Sequence, residues 1–181
     1  FKIQDVIKPK QILLIQGVKE ERGQKGASMT TYLSLAGRFA VLMPNSRKRN
    51  SYGISKKISD NSERARLREI LHDLKIPKGM TVVLRTAAMG ATASDIAADY
   101  DYLVGLWNEI RKTTLASVAP VTIHTEDSLL RRVVRDFVSD KEDVLTIQGE
   151  EAFDAAKQYF QQMYGRAPRK QLVHYKDAAV P

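Results

Sequence analysis

The stretch Met80-Thr81-Val82-Val83-Leu84-Arg85-Thr86-Ala87-Ala88-Met89-Gly90 decides how this chain folds. Its first half is apolar and β-branched, which predicts a buried strand. Its second half passes through an arginine and a threonine into small residues and a glycine, which predicts a turn. Thr92 or Ser94 then stands where a helix N-cap belongs. Ile96, Tyr100, Leu103, Leu106, Trp107 and Ile110 follow at helical spacing, predicting a long amphipathic helix that ends near Thr114. Strand, turn and helix in that order make one α/β unit.

On the N-terminal side, Pro77-Lys78-Gly79 closes an earlier helix whose stripe is Leu67, Ile70, Leu71 and Leu74. Asp60, Asn61 or Ser62 can cap it. Residues 53–58 predict a short strand. Residues 11–18, 30–36 and 38–43 predict three more, with the charged, glycine-bearing segment 19–26 as a hairpin loop between the first two. On the C-terminal side, residues 121–123 predict a strand after Pro120. Leu129, Val133, Val134, Phe137 and Val138 form one helix face. Residues 144–147 predict a strand, 150–164 a helix and 172–175 a last strand. The order is β-hairpins followed by α/β units, with the best inner boundary near 115–120.

The 181 residues carry 29 Lys and Arg against 21 Asp and Glu, a formal charge of +8. The pI is near 9.7. A pI this high fits a polyanionic partner such as nucleic acid. Hydrophobic residues make up 43%, enough to exclude global disorder. No apolar run approaches the roughly 18 residues of a membrane span. Zero cysteine excludes disulfides, cysteine–zinc sites and cysteine nucleophiles within this segment. The chain starts at Phe1 with neither Met nor a signal-peptide core, as expected of a processed chain or a piece of a longer one.

Walker, dinucleotide-binding and zinc-protease patterns are missing from the sequence. His72, His124 and His174 are scattered without metal-ligand spacing, so ordinary surface or strand-end roles are expected. Glu126-Asp127 can serve as a metal or acid/base pair, or as carboxylates at the start of the helix near Ser128. Their position favours the second role. Asp99 and Asp101 flank Tyr100 and are expected on the solvated side of the long helix. Arg85-Thr86, at the emergent end of its strand, can offer a forked donor and a hydroxyl to a terminal phosphate. An arginine paired to a nearby carboxylate is the alternative. The basic groups Lys19, Arg22 and Lys25, Arg47, Lys48 and Arg49, and Lys56 and Lys57 are candidate RNA-backbone contacts or solvated loops. Tyr32 and Phe39 can stack on bases or pack in the core.

Five ordered motifs point further: residues 19–27, 30–37, 41–45, 53–58 and 84–87. Together they closely resemble the amino-terminal region of the bacterial ribonuclease E/G family. The resemblance is strong over residues 1–115 and continues to 181 through Ala119-Pro120, Ile123-His124 and Val134-Arg135-Asp136. It implies a mixed α+β and α/β fold in three parts. Residues 1–36 would be closing strands of an OB-type RNA-binding barrel. Residues 37–115 would be a 5′-sensor subdomain, a mixed sheet with packed helices that recognises a 5′-monophosphate on single-stranded RNA. Residues 116–181 would be part of a ribonuclease-H-like subdomain.

The family's phosphate pocket maps onto Gly37, Val41, Arg85 and Thr86, with glycine suited to close backbone approach and Val41 to packing on the terminal base. Lys25 matches a barrel contact to RNA. The resemblance implies a Mg²⁺-dependent endoribonuclease of RNA processing and decay. Its catalytic Asp pair and metal lie in a later domain, so this segment itself holds no catalytic residue. A bacterial cytoplasm, or an organelle of bacterial ancestry, and homo-oligomers of the whole protein are implied with it. The alternative is a non-catalytic RNA-binding or ribosome-associated component derived from the family. Two departures stand out. Lysines replace arginines at Lys56-Lys57, and Ala88 stands where glycine is common.

Overall fold

The apolar run at 81–84 forms an inner strand of a four-stranded sheet, and the rest of the fold is arranged around it. A computed structural model describes residues 2–46, 52–125, 128–138, 143–165, 167–168 and 171–176. A short helix α1 (Ile3–Val6) leads to a two-stranded hairpin, β1 (Gln16–Lys19) and β2 (Ser28–Thr30), antiparallel with Gln16 opposite Thr30. The four-stranded sheet contains β3 (Leu35–Ala36), β4 (Ala40–Met43), β5 (Tyr52–Ile54) and β6 (Thr81–Leu84), in the order β3-β4-β6-β5. β4 runs antiparallel to both of its neighbours, β3 and β6, and β5 runs parallel to β6. Helix α2 (Asn61–Asp73) makes the crossover between those two parallel strands. A 3₁₀ turn, Thr86–Ala88, follows β6 and leads into α3 (Ala93–Ala116). Then come α4 (Leu129–Asp136), β7 (Leu145–Gln148), α5 (Glu150–Tyr164) and β8 (Leu172–Tyr175), with β7 and β8 a parallel pair. The architecture is mixed α+β.

Cap chemistry sets the helix starts. Asp60 accepts the Glu63 N–H at 2.9 Å, Thr92 accepts that of Asp95 at 3.1 Å and Ser128 accepts that of Arg131 at 3.3 Å. One core joins Leu42, Val82 and Leu84 of the sheet to Leu67 and Leu71 of α2 and to Ile96 and Leu103 of α3, all essentially without solvent exposure. A second gathers Val134, Ile147, Ala156, Phe160 and Leu172, and Tyr102 of α3 packs against both.

Three strand expectations are corrected. Residues 11–15 are not a strand, and Ile12 and Ile15 are exposed. Among the described residues β1 has β2 as its only neighbour, so no described ladder reaches them. The expected strand 30–36 is split into β2 and β3, because side chains satisfy the backbone between them. Gln16 exchanges two hydrogen bonds with the backbone of Ser34, while Asn45 takes the Leu33 N–H and donates to the Thr31 carbonyl. Residues 121–123 are irregular and pair with no strand among the described residues.

Leu42 lies on the core face of β4 with no exposed surface. Leu42→Ala is expected to cost about 2–5 kcal/mol of stability, read from urea unfolding midpoints.

Candidate functional site

The turn between β3 and β4 begins with Gly37, whose N–H closes it on the Ala40 carbonyl at 2.8 Å. The next three N–H groups point together at one carboxylate. Arg38 donates to Asp99 Oδ1, and Phe39 and Ala40 donate to Oδ2, each at 2.9 Å. Asp99 is 3% exposed, which overturns the expectation that it is solvated. It stands inside the apolar stripe of α3, three residues after Ile96 and four before Leu103, and three N–H donors replace its water. Asp101 is exposed as expected. Burial pushes the Asp99 carboxyl above its ordinary range, against the pull of the three N–H groups and the Arg85 charge. The carboxylate also explains the glycine. A Cβ at position 37 would come 2.5–2.8 Å from its atoms. The tight approach at Gly37 is therefore to Asp99.

Arg85 faces this turn from the other side. Its N–H extends the ladder to the Phe39 carbonyl at 2.7 Å. Its Nη1 donates to the Gly37 carbonyl at 2.6 Å, the Arg38 carbonyl at 3.2 Å and Asp136 Oδ1 at 3.1 Å. Nε and Nη2 have no hydrogen-bond partner among the described residues, and a third of the side chain is exposed. Thr86 is half-buried at the start of the 3₁₀ turn, and its hydroxyl likewise has no partner among the described residues. Val41 pairs with Val83, two residues before Arg85, so Val41, Val83 and Arg85 share one sheet face. The fold thus brings Gly37 and Arg85 into contact, with Val41 and Thr86 beside them.

Asp136, at the end of α4, is shared. Arg135 grips it through Nε and Nη2 at 3.1 and 2.9 Å and reaches the Ala36 carbonyl through Nη1 at 3.3 Å. Partial burial alone would raise the Asp136 carboxyl, but Arg135 and then Arg85 hold it below its ordinary range. Arg38 donates to the Tyr164 hydroxyl at 3.0 Å and lies over the Phe39 and Tyr164 rings. Among the described residues, the guanidinium groups of Arg85 and Arg135 meet on the Asp136 carboxylate.

The loop after Thr86 is fastened from α2. Glu63 accepts from Arg66 and from the Gly90 N–H at 3.0 Å, while Arg66 donates to the Ala91 carbonyl at 2.8 Å. Ala88 is fully buried in the 3₁₀ turn and has no positive φ, so alanine suits this backbone.

The remaining candidates separate. Lys19, Arg22 and Lys25 are exposed on the β1–β2 hairpin. Lys56 and Lys57 are exposed just beyond Ser55, whose N–H bonds the Leu84 carbonyl next to Arg85. Phe39 is buried in the core and Tyr32 is exposed. His72 is exposed beside Asp73, and His174 stacks on Phe153 at 4.9 Å. Among the described residues, no three His, Asp or Glu side chains gather to hold a metal. Arg47, Lys48, Arg49, Glu126 and Asp127 lie outside the described residues. Sequence reasoning assigned no role to Arg135, Asp136, Tyr164, Glu63 or Arg66. Glu63–Arg66 and Arg135–Asp136 are local charge pairs in the sequence, but their further partners Gly90, Ala91, Ala36 and Arg85, and those of Tyr164, lie on distant segments.

The model of the ribonuclease E/G family matches residues 34–180. The chain belongs to this family. It is 36% identical over 157 residues to ribonuclease E of Escherichia coli, covering 87% of this chain and 14% of that protein. It is 32% identical over 177 residues to ribonuclease E of a Nostoc species, covering 97% of this chain and 25% of that one. Ribonuclease G of Escherichia coli is 28% identical over 173 residues, 96% of this chain and 34% of that protein. The chain thus spans between 14% and 34% of the length of these family members. No described helix is long and apolar enough to cross a membrane.

The Glu63 carboxyl, bonded first by Arg66 and then by the Gly90 N–H, is held down to about 2 from an ordinary 4.5. Its folded value lies below its unfolded one. Its contribution to stability is therefore complete above the unfolded value and is lost as pH falls toward 2. Carbon-13 NMR of Glu63 is expected to show that low midpoint, and Arg66→Ala to move it upward.

Proposed function

We propose that this chain is the RNA-gripping and 5′-monophosphate-sensing segment of an endoribonuclease of RNA processing and decay. One observation carries the reading. Arg85 is anchored through Nη1 to the turn carbonyls and Asp136, while Nε and Nη2 and the neighbouring Thr86 hydroxyl have no partner among the described residues. An anchored guanidinium with a free edge suits a terminal phosphate, because its donors are already oriented. In this reading Gly37 supplies the carbonyl that holds Arg85, and Val41 packs against the terminal base. Lys19, Arg22, Lys25, Lys56 and Lys57 hold the RNA backbone.

Residues 1–36 are assigned as closing strands of an OB-type barrel, 37–115 as the sensor and 116–181 as part of a ribonuclease-H-like subdomain. Relatives named as ribonucleases favour an enzyme segment over a non-catalytic ribonucleoprotein component. In the whole enzyme, Mg²⁺ would activate water on carboxylates outside these residues. The bacterial cytoplasm is the proposed compartment.

Wild-type protein is expected to bind a short 5′-monophosphorylated RNA more tightly than its 5′-hydroxyl counterpart. Arg85→Ala is expected to abolish a preference of about 1–3 kcal/mol, measured by fluorescence anisotropy. Equal wild-type affinities would reject the sensor reading. RNA affinity is also expected to fall steeply with salt, with Lys25→Ala and Lys57→Ala each removing about 0.7 from the logarithmic slope. A salt slope unchanged in both variants would remove these lysines from the interface.

A further inference from the structure

The hydrogen bonds of the 37–40 turn come in pairs across single peptide groups. The Arg38 N–H and the Gly37 carbonyl belong to one planar trans unit, so they point in opposite directions. The N–H donates to Asp99 and the carbonyl accepts from Arg85 Nη1. The same holds for the next unit, with the Phe39 N–H on Asp99 and the Arg38 carbonyl on Nη1. It holds again for the third, with the Ala40 N–H on Asp99 and the Phe39 carbonyl on the Arg85 backbone N–H. Three successive peptide groups thus connect a buried carboxylate on α3 to an arginine at the end of β6.

We propose that Asp99 is the positioning residue of the 5′-end site, orienting Arg85 through these three peptide groups without touching RNA itself. The proposal rests on the sensor reading of Arg85. Rotating any of the three units to turn its N–H toward a phosphate would remove one hydrogen bond from Asp99 and one from Arg85 together. The donors left for the phosphate are then Arg85 Nε and Nη2 and the Thr86 hydroxyl, and the turn's N–H groups remain on Asp99. Asparagine at 99 offers one acceptor oxygen in place of two and faces an N–H group with an amide donor. Alanine at 37 would drive a methyl into the carboxylate.

The test compares 5′-monophosphorylated and 5′-hydroxyl forms of one short RNA on the 181-residue protein. In Asp99→Asn, the monophosphate preference is expected to fall about tenfold while 5′-hydroxyl affinity stays near wild type. In the Arg85→Ala background, Asp99→Asn is expected to change the preference no further. A folded Asp99→Asn protein with the full wild-type preference overturns the proposal, and so does a folded Gly37→Ala protein that keeps it. A wild-type measurement stands apart from any folding defect. Amide exchange at Arg38, Phe39 and Ala40 is expected to stay equally slow when monophosphorylated RNA binds. Direct transfer of those N–H groups to the phosphate, seen as large amide shifts with altered protection, would refute the relay. Failure of the sensor reading looks different: wild type itself then shows no preference, or Arg85→Ala retains it.

Discussion

The carboxylate of Asp99 sits almost without solvent beneath three consecutive backbone N–H groups, and the shape of the candidate site follows from that contact. A buried carboxylate is costly to desolvate, and hydrogen bonds must replace the lost water. Three N–H groups at 2.9 Å supply much of that replacement, yet burial still outweighs them and raises the carboxyl's affinity for a proton. The contact adds three hydrogen bonds to a turn whose leading strand, β3, is only two residues long. It also leaves position 37 no space for a side chain. Glycine is required there by packing against Asp99, with no positive φ involved.

Around this turn the two cores contribute different chemistry. The sheet and α3 supply the framework, the arginine and the buried carboxylate. Helices α4 and α5 of the second core add Arg135, Asp136 and Tyr164. Asp136 draws one nitrogen of Arg85 inward and is itself neutralised by Arg135. Arg38 is held off the site by the Tyr164 hydroxyl and ring. One guanidinium edge, that of Arg85, stays open among the described residues while its neighbours are engaged. The two cores therefore meet at the candidate site through charge and hydrogen bonds as well as through Tyr102.

Local signals in the sequence identify the parts of this fold that local energetics decide. The caps Asp60 and Thr92, the stripe of α3 and the strand at 81–84 are legible because propensity, capping and burial agree there. The strand at 11–15 is misread because its apolar residues suggest a partner that only a neighbouring strand could supply. The break at 31–34 is hidden because Gln16 and Asn45 imitate backbone with side-chain amides. Arg85 and Thr86 are visible as a donor pair, and the resemblance adds Gly37 and Val41. Asp99 carries a signal too, a carboxylate within an apolar stripe. Its partners lie 59 to 61 residues earlier, beyond any local pattern.

The two departures from the family pattern have different physical weight. Ala88 is neutral here, since the backbone at that position is a buried 3₁₀ turn with no positive φ. The clip of Glu63 and Arg66 holds the following residues through Gly90 and Ala91, so the turn does not depend on glycine at 88. Lys56 and Lys57 are another matter. A lysine ammonium is a hydrated point charge on a flexible stem, able to attract a phosphodiester but unable to clasp a terminal phosphate with a planar fork. Such lysines raise affinity for any RNA in proportion to charge and lose it to salt. Under the proposed 5′-sensor reading, discrimination of one RNA end from another comes from a group that is oriented before the RNA arrives. Arg85, held by carbonyls whose direction Asp99 sets, meets that requirement, and the exposed lysines do not.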